Sequence, residues 1–248
     1  MKKQAIRART RPIPKVGDTE QFRSIHEGKK CFVVGAGTSL YNLDLSGIHE
    51  YPVVGVNSSA LLMPWDEPGD PLSRFWVSTD LLCMQWDYFW SKVARFECTR
   101  IVRNSWARNT KELKGIHMHF YAPRRVAQSP NWKDNGLMAG SSILSALDLA
   151  LLMGCKQVIM LGVDHRMTNG HSHFWQNWPV HDRPKKEGQP GNFMPCQRQQ
   201  GRVFKSNMRS FDILEKYSKQ LDAKIYNASP ISEVKSFDKI SLEDALKL

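Results

Sequence analysis

The sequence predicts an α/β fold: a Rossmann-like, mostly parallel sheet with helices on both faces and a long lid loop. Three observations predict it. Short unbroken apolar runs end at Gly, Asn or Asp, as strands buried on both faces do. These runs alternate with helical segments, which makes the connections parallel crossovers. The polar residues that end the runs would then collect along one edge of the sheet, where open α/β sheets bind ligands.

The elements follow in order. Residues 1–29 carry Arg, Lys and Pro with few large apolar side chains and read as a basic arm; a single domain is expected over 30–248. Cys31-Phe32-Val33-Val34 is a buried strand stopped by Gly35, and Val53-Val54-Gly55-Val56 repeats it, stopped by Asn57. Phe75-Trp76-Val77-Ser78 is a third strand, and residues 81–94 read as a helix. Ile101-Val102 and residues 116–121 are weaker strands. Residues 140–153 form a buried helix, with Ser141 or Ser142 to cap it and Gly154 to stop it. Residues 157–163 are the strongest strand and end at Asp164. Residues 165–201 lack a sustained period and read as the lid. A helix over 204–221, a strand over 223–226 and a closing helix over 242–248 complete the chain.

With 248 residues, 41% of them hydrophobic and 24% charged, the composition excludes a disordered, collagen-like or disulfide-stapled chain. No apolar run approaches the roughly 18–20 residues of a membrane span, and no secretory signal opens the chain. Five scattered cysteines (31, 83, 98, 155, 196) without CxxC fit reduced thiols and a cytoplasmic location. The net charge of +11 is concentrated at residues 1–30 and 181–209. Such patches attract anionic partners.

Gly35-Ala36-Gly37-Thr38-Ser39 follows the first strand directly. Glycines there let a backbone approach a phosphate, and the N–H groups of Thr38 and Ser39 would open a helix whose positive end favours anions. The third glycine and ribose-binding acid of a dinucleotide site are missing, as is a P-loop Gly-Lys-Ser/Thr. Asn57, Thr79-Asp80 and Asp164 end further strands, and Ser141-Ser142 opens a helix toward the same edge. Asn57 and Asp80 are equally open to a plain capping role. On this reading Gly37→Val abolishes nucleotide binding and leaves the fold largely intact.

Four histidines (165, 171, 173 and 181) lie within 17 residues, beside Asp164 and Arg166. Imidazoles beside an anion act as general acids or bases, or donate to phosphate. Their spacing matches no standard zinc pattern, so no metal is assigned. His117-x-His119 falls on a predicted strand and reads as structural.

The order of these motifs resembles the bacterial sialyltransferases of glycosyltransferase family 42. The run over 149–164 (LALLMGCKQVIMLGVD) is the most specific piece, and is also similar to the archaeal 6-hydroxymethylpterin diphosphokinase-like family and its flagellin-modifying relatives. Tyr226-Asn227-Ala228-Ser229-Pro230-Ile231-Ser232 fits the same relatives. The resemblance implies a transferase with a CMP-, UDP- or GDP-linked sugar donor, held by Gly35, Gly37, Thr38, Ser39, Asn57, Thr79, Asp80, Ser141, Ser142, Arg166 and Arg202. Arg166 and His173 align near the lid tyrosines that hold phosphate in the sialyltransferases. Arg202 aligns with their catalytic histidine and is too basic to be a general base. That role would pass to Asp164, His171, His173 or His181, and sialic acid is not supported as the sugar. The acceptor is expected to be anionic: a glycan, a protein or nucleic acid. A compact form of this kind suits a phage genome. The rival readings are a pterin-type diphosphokinase with ATP and Mg²⁺, using Asp80 and Asp164, and a non-catalytic nucleotide- or nucleic-acid-binding module.

Overall fold

The computed structural model describes residues 19–109, 112–113, 115–125, 132, 136–190 and 197–248. Nine strands form one parallel sheet in the order β6-β5-β4-β3-β2-β1-β7-β8-β9. The strands are β1 Lys30–Val34, β2 Val53–Val56, β3 Arg74–Ser78, β4 Thr99–Arg103 and β5 His119–Arg124. They continue with β6 Gly136–Met138, β7 Gln157–Leu161, β8 Lys224–Asn227 and β9 Asp238–Lys239. Three α-helices accompany them: α1 Ser142–Leu152, α2 Gln197–Gln220 and α3 Leu242–Lys247. The Rossmann-like α/β class holds.

Alternation along each strand feeds two apolar layers. Cys31, Val33, Val54, Phe75, Val158 and Met160 face α1 and α2. Phe32, Val34, Val53, Trp76, Ile159 and Leu161 face the other layer, which 3-10 turns, aromatic rings and α3 cover. Both faces are dry, so the strands read as unbroken apolar runs. Every residue of α1 is buried. One charge lies inside it: Asp148 accepts from Arg124 Nη2 (3.0 Å), Trp132 Nε1 (2.9 Å), the Met138 N–H (2.7 Å) and Tyr217 Oη (2.5 Å). Four donors fill the carboxylate's acceptor positions and tie β5, β6 and α2 to α1.

Several boundaries differ from the sequence reading. Residues 81–94 are not one α-helix; a 3-10 turn (Leu81–Gln85) and a π turn (Phe89–Val93) take their place. The ladder breaks because Trp86 bridges Lys186 and the Asp87 N–H bonds Lys185 O at 2.9 Å. The weak strand at 116–121 starts later, at His119, and β6 and β9 were not anticipated. His119 is structural as expected, its ring edge-on to Phe22 at 5.1 Å.

Residues 1–18 of the expected arm lie outside the described residues. Residues 19–29 lie against α1: Phe22 is buried, and the N–H groups of Ser24, His26 and Gly28 bond the carbonyls of Leu152, Met153 and Gly154. Within the expected lid, residues 191–196 also lie outside the described set. Phe174 and Trp175 are core residues, and the Phe174 N–H bonds Ala36 O at 3.0 Å, so this stretch packs on the loop after β1. Among the described residues, no helix is long and apolar enough to cross a membrane.

Candidate functional site

The strand order reverses between β1 and β7. A crevice with a cavity volume of about 130 Å³ opens there, at the C-terminal ends of β1, β2 and β7, where a parallel sheet places its ligands. Gly35, Gly37, Asn57, Ser141, Ser142, Asp164 and His173 line it, as the sequence suggested. His165, Ser172, Val203, Phe204 and Asn207 line it without having been assigned a place there.

The glycines of the loop after β1 serve a different purpose from the one expected. A Cβ on Gly35 would meet Gly162 O at 2.3 Å, and one on Gly37 would meet Asp164 Oδ2 at 2.5 Å and Gly162 O at 2.7 Å. They let this loop pass against the end of β7. The anion at the following turn is the protein's own. Asp164, buried, takes the Ser39 N–H (2.8 Å) and Thr38 Oγ1 (3.1 Å) on Oδ2 and Ser39 Oγ (2.5 Å) on Oδ1. The N–H groups of Gly35 and Gly37 go to the carbonyls of Leu161 and Gly162. Thr38 and Ser39 therefore hold Asp164 in the place where a phosphate was expected, and Asp164 positions the loop. Gly37→Val would strike this packing as well as any ligand, which corrects the expectation of a largely intact fold.

Donors without acceptors gather at the start of α1. Its first residue follows Ser141 in extended conformation, with no side-chain cap. The N–H groups of Ser142, Ile143 and Leu144 have no acceptor among the described residues, as the first turn of a helix leaves them. Ser141 Oγ is buried without a partner. Behind it, Ser142 Oγ accepts from the Thr79 N–H (2.9 Å) and donates to Asn57 Oδ1 (3.1 Å). Thr79 thus supports the crevice and does not line it. Asp80 caps the Leu82 N–H at 2.9 Å, the plain role open to it.

Asn57 is the most constrained group of the crevice. Its φ of +49° is left-handed, costly for a residue with a Cβ though tolerated best by Asn. Trp76 Nε1 bonds its carbonyl (2.9 Å), and Ser78 Oγ (2.9 Å) and Ser142 Oγ hold Oδ1. The Nδ2 amide has no partner among the described residues and remains as a donor.

The histidines separate. His173 lines the crevice; its side chain accepts from the Gln176 N–H, and its Nδ1 lies 2.8 Å from Ser172 Oγ. Those bonds leave Nε2 as the protonated nitrogen. Burial lowers its pKa to about 4. His171 instead pairs Nδ1 with Asn177 Oδ1 (2.9 Å), outside the crevice lining, and His181 is exposed beside Asp182. His165, with φ +48°, lies between Phe204 and Phe211 (centroids 5.2 and 4.9 Å), with its pKa also lowered to about 4 by burial. Arg166 lies on a neighbouring cavity, and Arg202 is exposed on α2, outside both linings. Among the described residues, no three His, Cys, Asp or Glu side chains are grouped as metal ligands.

The fold and crevice together define a Rossmann-like α/β protein with a cleft at its topological switch point. The MAF glycosyltransferase from Magnetospirillum magneticum AMB-1 superposes with a TM-score of 0.52 at 12% identity, over 94% of this chain and 38% of that one. The chain thus spans well under half the length of that protein. The sialyltransferase CstII from Campylobacter jejuni, in complex with a CMP-sugar analogue, aligns over 86% of both chains at 12% identity and a TM-score of 0.44. No protein-family model and no curated protein sequence matches the chain. The likeness to the MAF protein is one of fold.

Proposed function

We propose that the chain is a glycosyltransferase-like transferase that binds a nucleotide-activated sugar in this crevice. The observation that carries this reading is a set of unspent donors on one cleft. The first-turn N–H groups of α1, Ser141 Oγ, Asn57 Nδ2 and the Nε2–H of His173 all await acceptors. Donors of that kind suit the phosphate and ribose oxygens of a nucleotide. The motif order of the β1 loop, Asn57 and Ser141-Ser142 supports the same reading.

In the reaction, an acceptor hydroxyl attacks the anomeric carbon as the bond from that carbon to the phosphate oxygen breaks. The electron pair leaves with the phosphate, where the α1 N–H groups and His173 stabilise the developing charge. The hydroxyl proton passes to His165. Its neutral imidazole, whose Nε2 lies 3.5 Å from Asn207 Nδ2, is the remaining base on the crevice, since Asp164 is spent on Thr38 and Ser39. The diphosphokinase reading would place Mg²⁺ on Asp80 and Asp164; both carboxylates already accept from the protein's own donors, so this donor set does not favour it.

The test is a thermal-shift panel of CMP, UDP, GDP, ADP and ATP, each with and without Mg²⁺. A ligand at 100 times its dissociation constant stabilises by about 2.7 kcal/mol. A metal-independent shift with CMP, UDP or GDP supports the reading. A shift confined to ATP with Mg²⁺ transfers support to the diphosphokinase, and no shift at all removes the nucleotide.

A further inference from the structure

A second and larger cavity, of about 660 Å³, adjoins the crevice. His165 and Phe204 line both, so these two rings, 5.2 Å apart, form a common wall. Three cations stand around the second cavity on three separate segments: Arg166 after β7, Lys205 on α2 and Lys235 between β8 and β9. None of the three has a carboxylate within ion-pair distance among the described residues. Among the described residues of the lining Glu233 is the single acid, so they carry excess positive charge over an apolar floor of Met167, Phe204 and Met208.

Lys92, Lys156, Lys219, Lys224 and Lys247 each meet a carboxylate. Three unpaired cations converging on one concavity repel one another, and an incoming anion relieves that repulsion. Exposed lysines alone would make only a solvated face. Here they border a cavity that shares its wall with the crevice, at the imidazole assigned to take the acceptor's proton.

We propose that this second cavity is the acceptor subsite, and that the acceptor is a hydroxyl-bearing molecule carrying a carboxylate or phosphate. Arg166, Lys205 and Lys235 hold its acidic group, and its hydroxyl reaches the common wall at His165. The inference rests on the donor reading above. An anion held beside His165 also favours the imidazolium formed when the hydroxyl proton arrives.

The experiment uses the full chain with the nucleotide chosen by the panel, and three probes: glucuronate, glucose 6-phosphate and neutral glucose. Histidine and methionine NMR signals are followed during titration. The expected result is saturable movement of His165, Met167 and Met208 signals with at least one acidic sugar and none with glucose. Which of glucuronate and glucose 6-phosphate binds distinguishes carboxylate from phosphate. The double variant Lys205→Glu/Lys235→Glu, at two exposed positions, should weaken that binding at least tenfold. Equal response to glucose, no response to either acid, or an unchanged affinity in the charge-reversed variant would overturn the proposal. If the nucleotide binds and no acidic sugar does, this inference alone fails; if no nucleotide binds, the donor reading fails first.

Discussion

Asp164 and Ser39 are joined twice, from the Ser39 N–H to Oδ2 at 2.8 Å and from its hydroxyl to Oδ1 at 2.5 Å. The end of β7 thereby fixes the turn after β1, across the point where the strand order reverses. The anion-binding turn that the glycine pattern promised is filled from within, and the backbone donors left open are those of the first turn of α1.

The first prediction tests that latch. Asp164→Asn weakens charge-assisted bonds to Ser39 and Thr38 and should lower stability by about 1.5–3 kcal/mol. Gly37→Ala, whose Cβ would lie 2.5 Å from Asp164 Oδ2, should cost about 1–3 kcal/mol. Gly201→Ala, in α2 with nothing within 4 Å of its Cβ, should instead gain about 0.5–1 kcal/mol. Urea denaturation of the three variants checks the order; equal midpoints would dissolve the latch.

A second prediction concerns Asp148, buried with four donors around it. Asp148→Ala leaves Arg124 without its carboxylate and should cost about 3–5 kcal/mol. Calorimetric melting measures it, and a loss below about 1 kcal/mol would reduce this network to ordinary surface strength.

The pH dependence follows from three histidines. Burial lowers the pKa of His119, His165 and His173 from 6.5 to about 4, so the native state holds them neutral. The unfolded chain binds more protons between those values. Their contribution is therefore complete above about pH 6.5 and is lost as pH falls toward 4, with no further loss from them below it. Melting temperature against pH should fall across that window, and His119→Gln should flatten part of the slope. A profile flat from pH 7 to 4 would contradict the burial of these rings.

The N-terminal residues 1–18 hold Lys2, Lys3, Arg7, Arg9, Arg11 and Lys15 against Asp18. Removing 1–18 spares Thr19 and Phe22, which are buried. Binding to duplex DNA or heparin should fall and lose part of its salt dependence, with a log–log slope of about −0.9 per phosphate contact on DNA. Nucleotide binding should hold. If polyanion binding is unchanged, the arm serves only solubility.

The sheet was legible because each central strand is a dry apolar run stopped by a small polar residue, and the order of those stops placed Gly35, Asn57, Ser141 and Ser142 on one edge. Asn57, Thr79 and Ser142 do belong together, linked through Ser142 Oγ. The destination of each hydrogen bond was not legible. Nothing in the order of residues tells whether Asp164 faces a ligand or Ser39, 125 positions away in sequence. The wall supplied by α2 was also hidden, although Phe204, Asn207 and Phe211 recur at helical spacing. A buried stripe of that kind looks the same whether it faces core or cleft. His165 was visible only as one of four clustered histidines; its left-handed φ and its place between two cavities come from the fold.

The account turns on a nucleotide held by Asn57 and the first turn of α1. Asn57→Asp keeps the oxygen that Ser78 and Ser142 hold, tolerates the left-handed backbone, and replaces the free Nδ2 donor with a negatively charged oxygen. Isothermal titration of wild type and Asn57→Asp with the nucleotide selected by the panel is the most direct test. The account predicts at least a tenfold loss of affinity in a variant that still folds. Equal affinity in the two proteins would place the nucleotide elsewhere and contradict the assignment of this crevice.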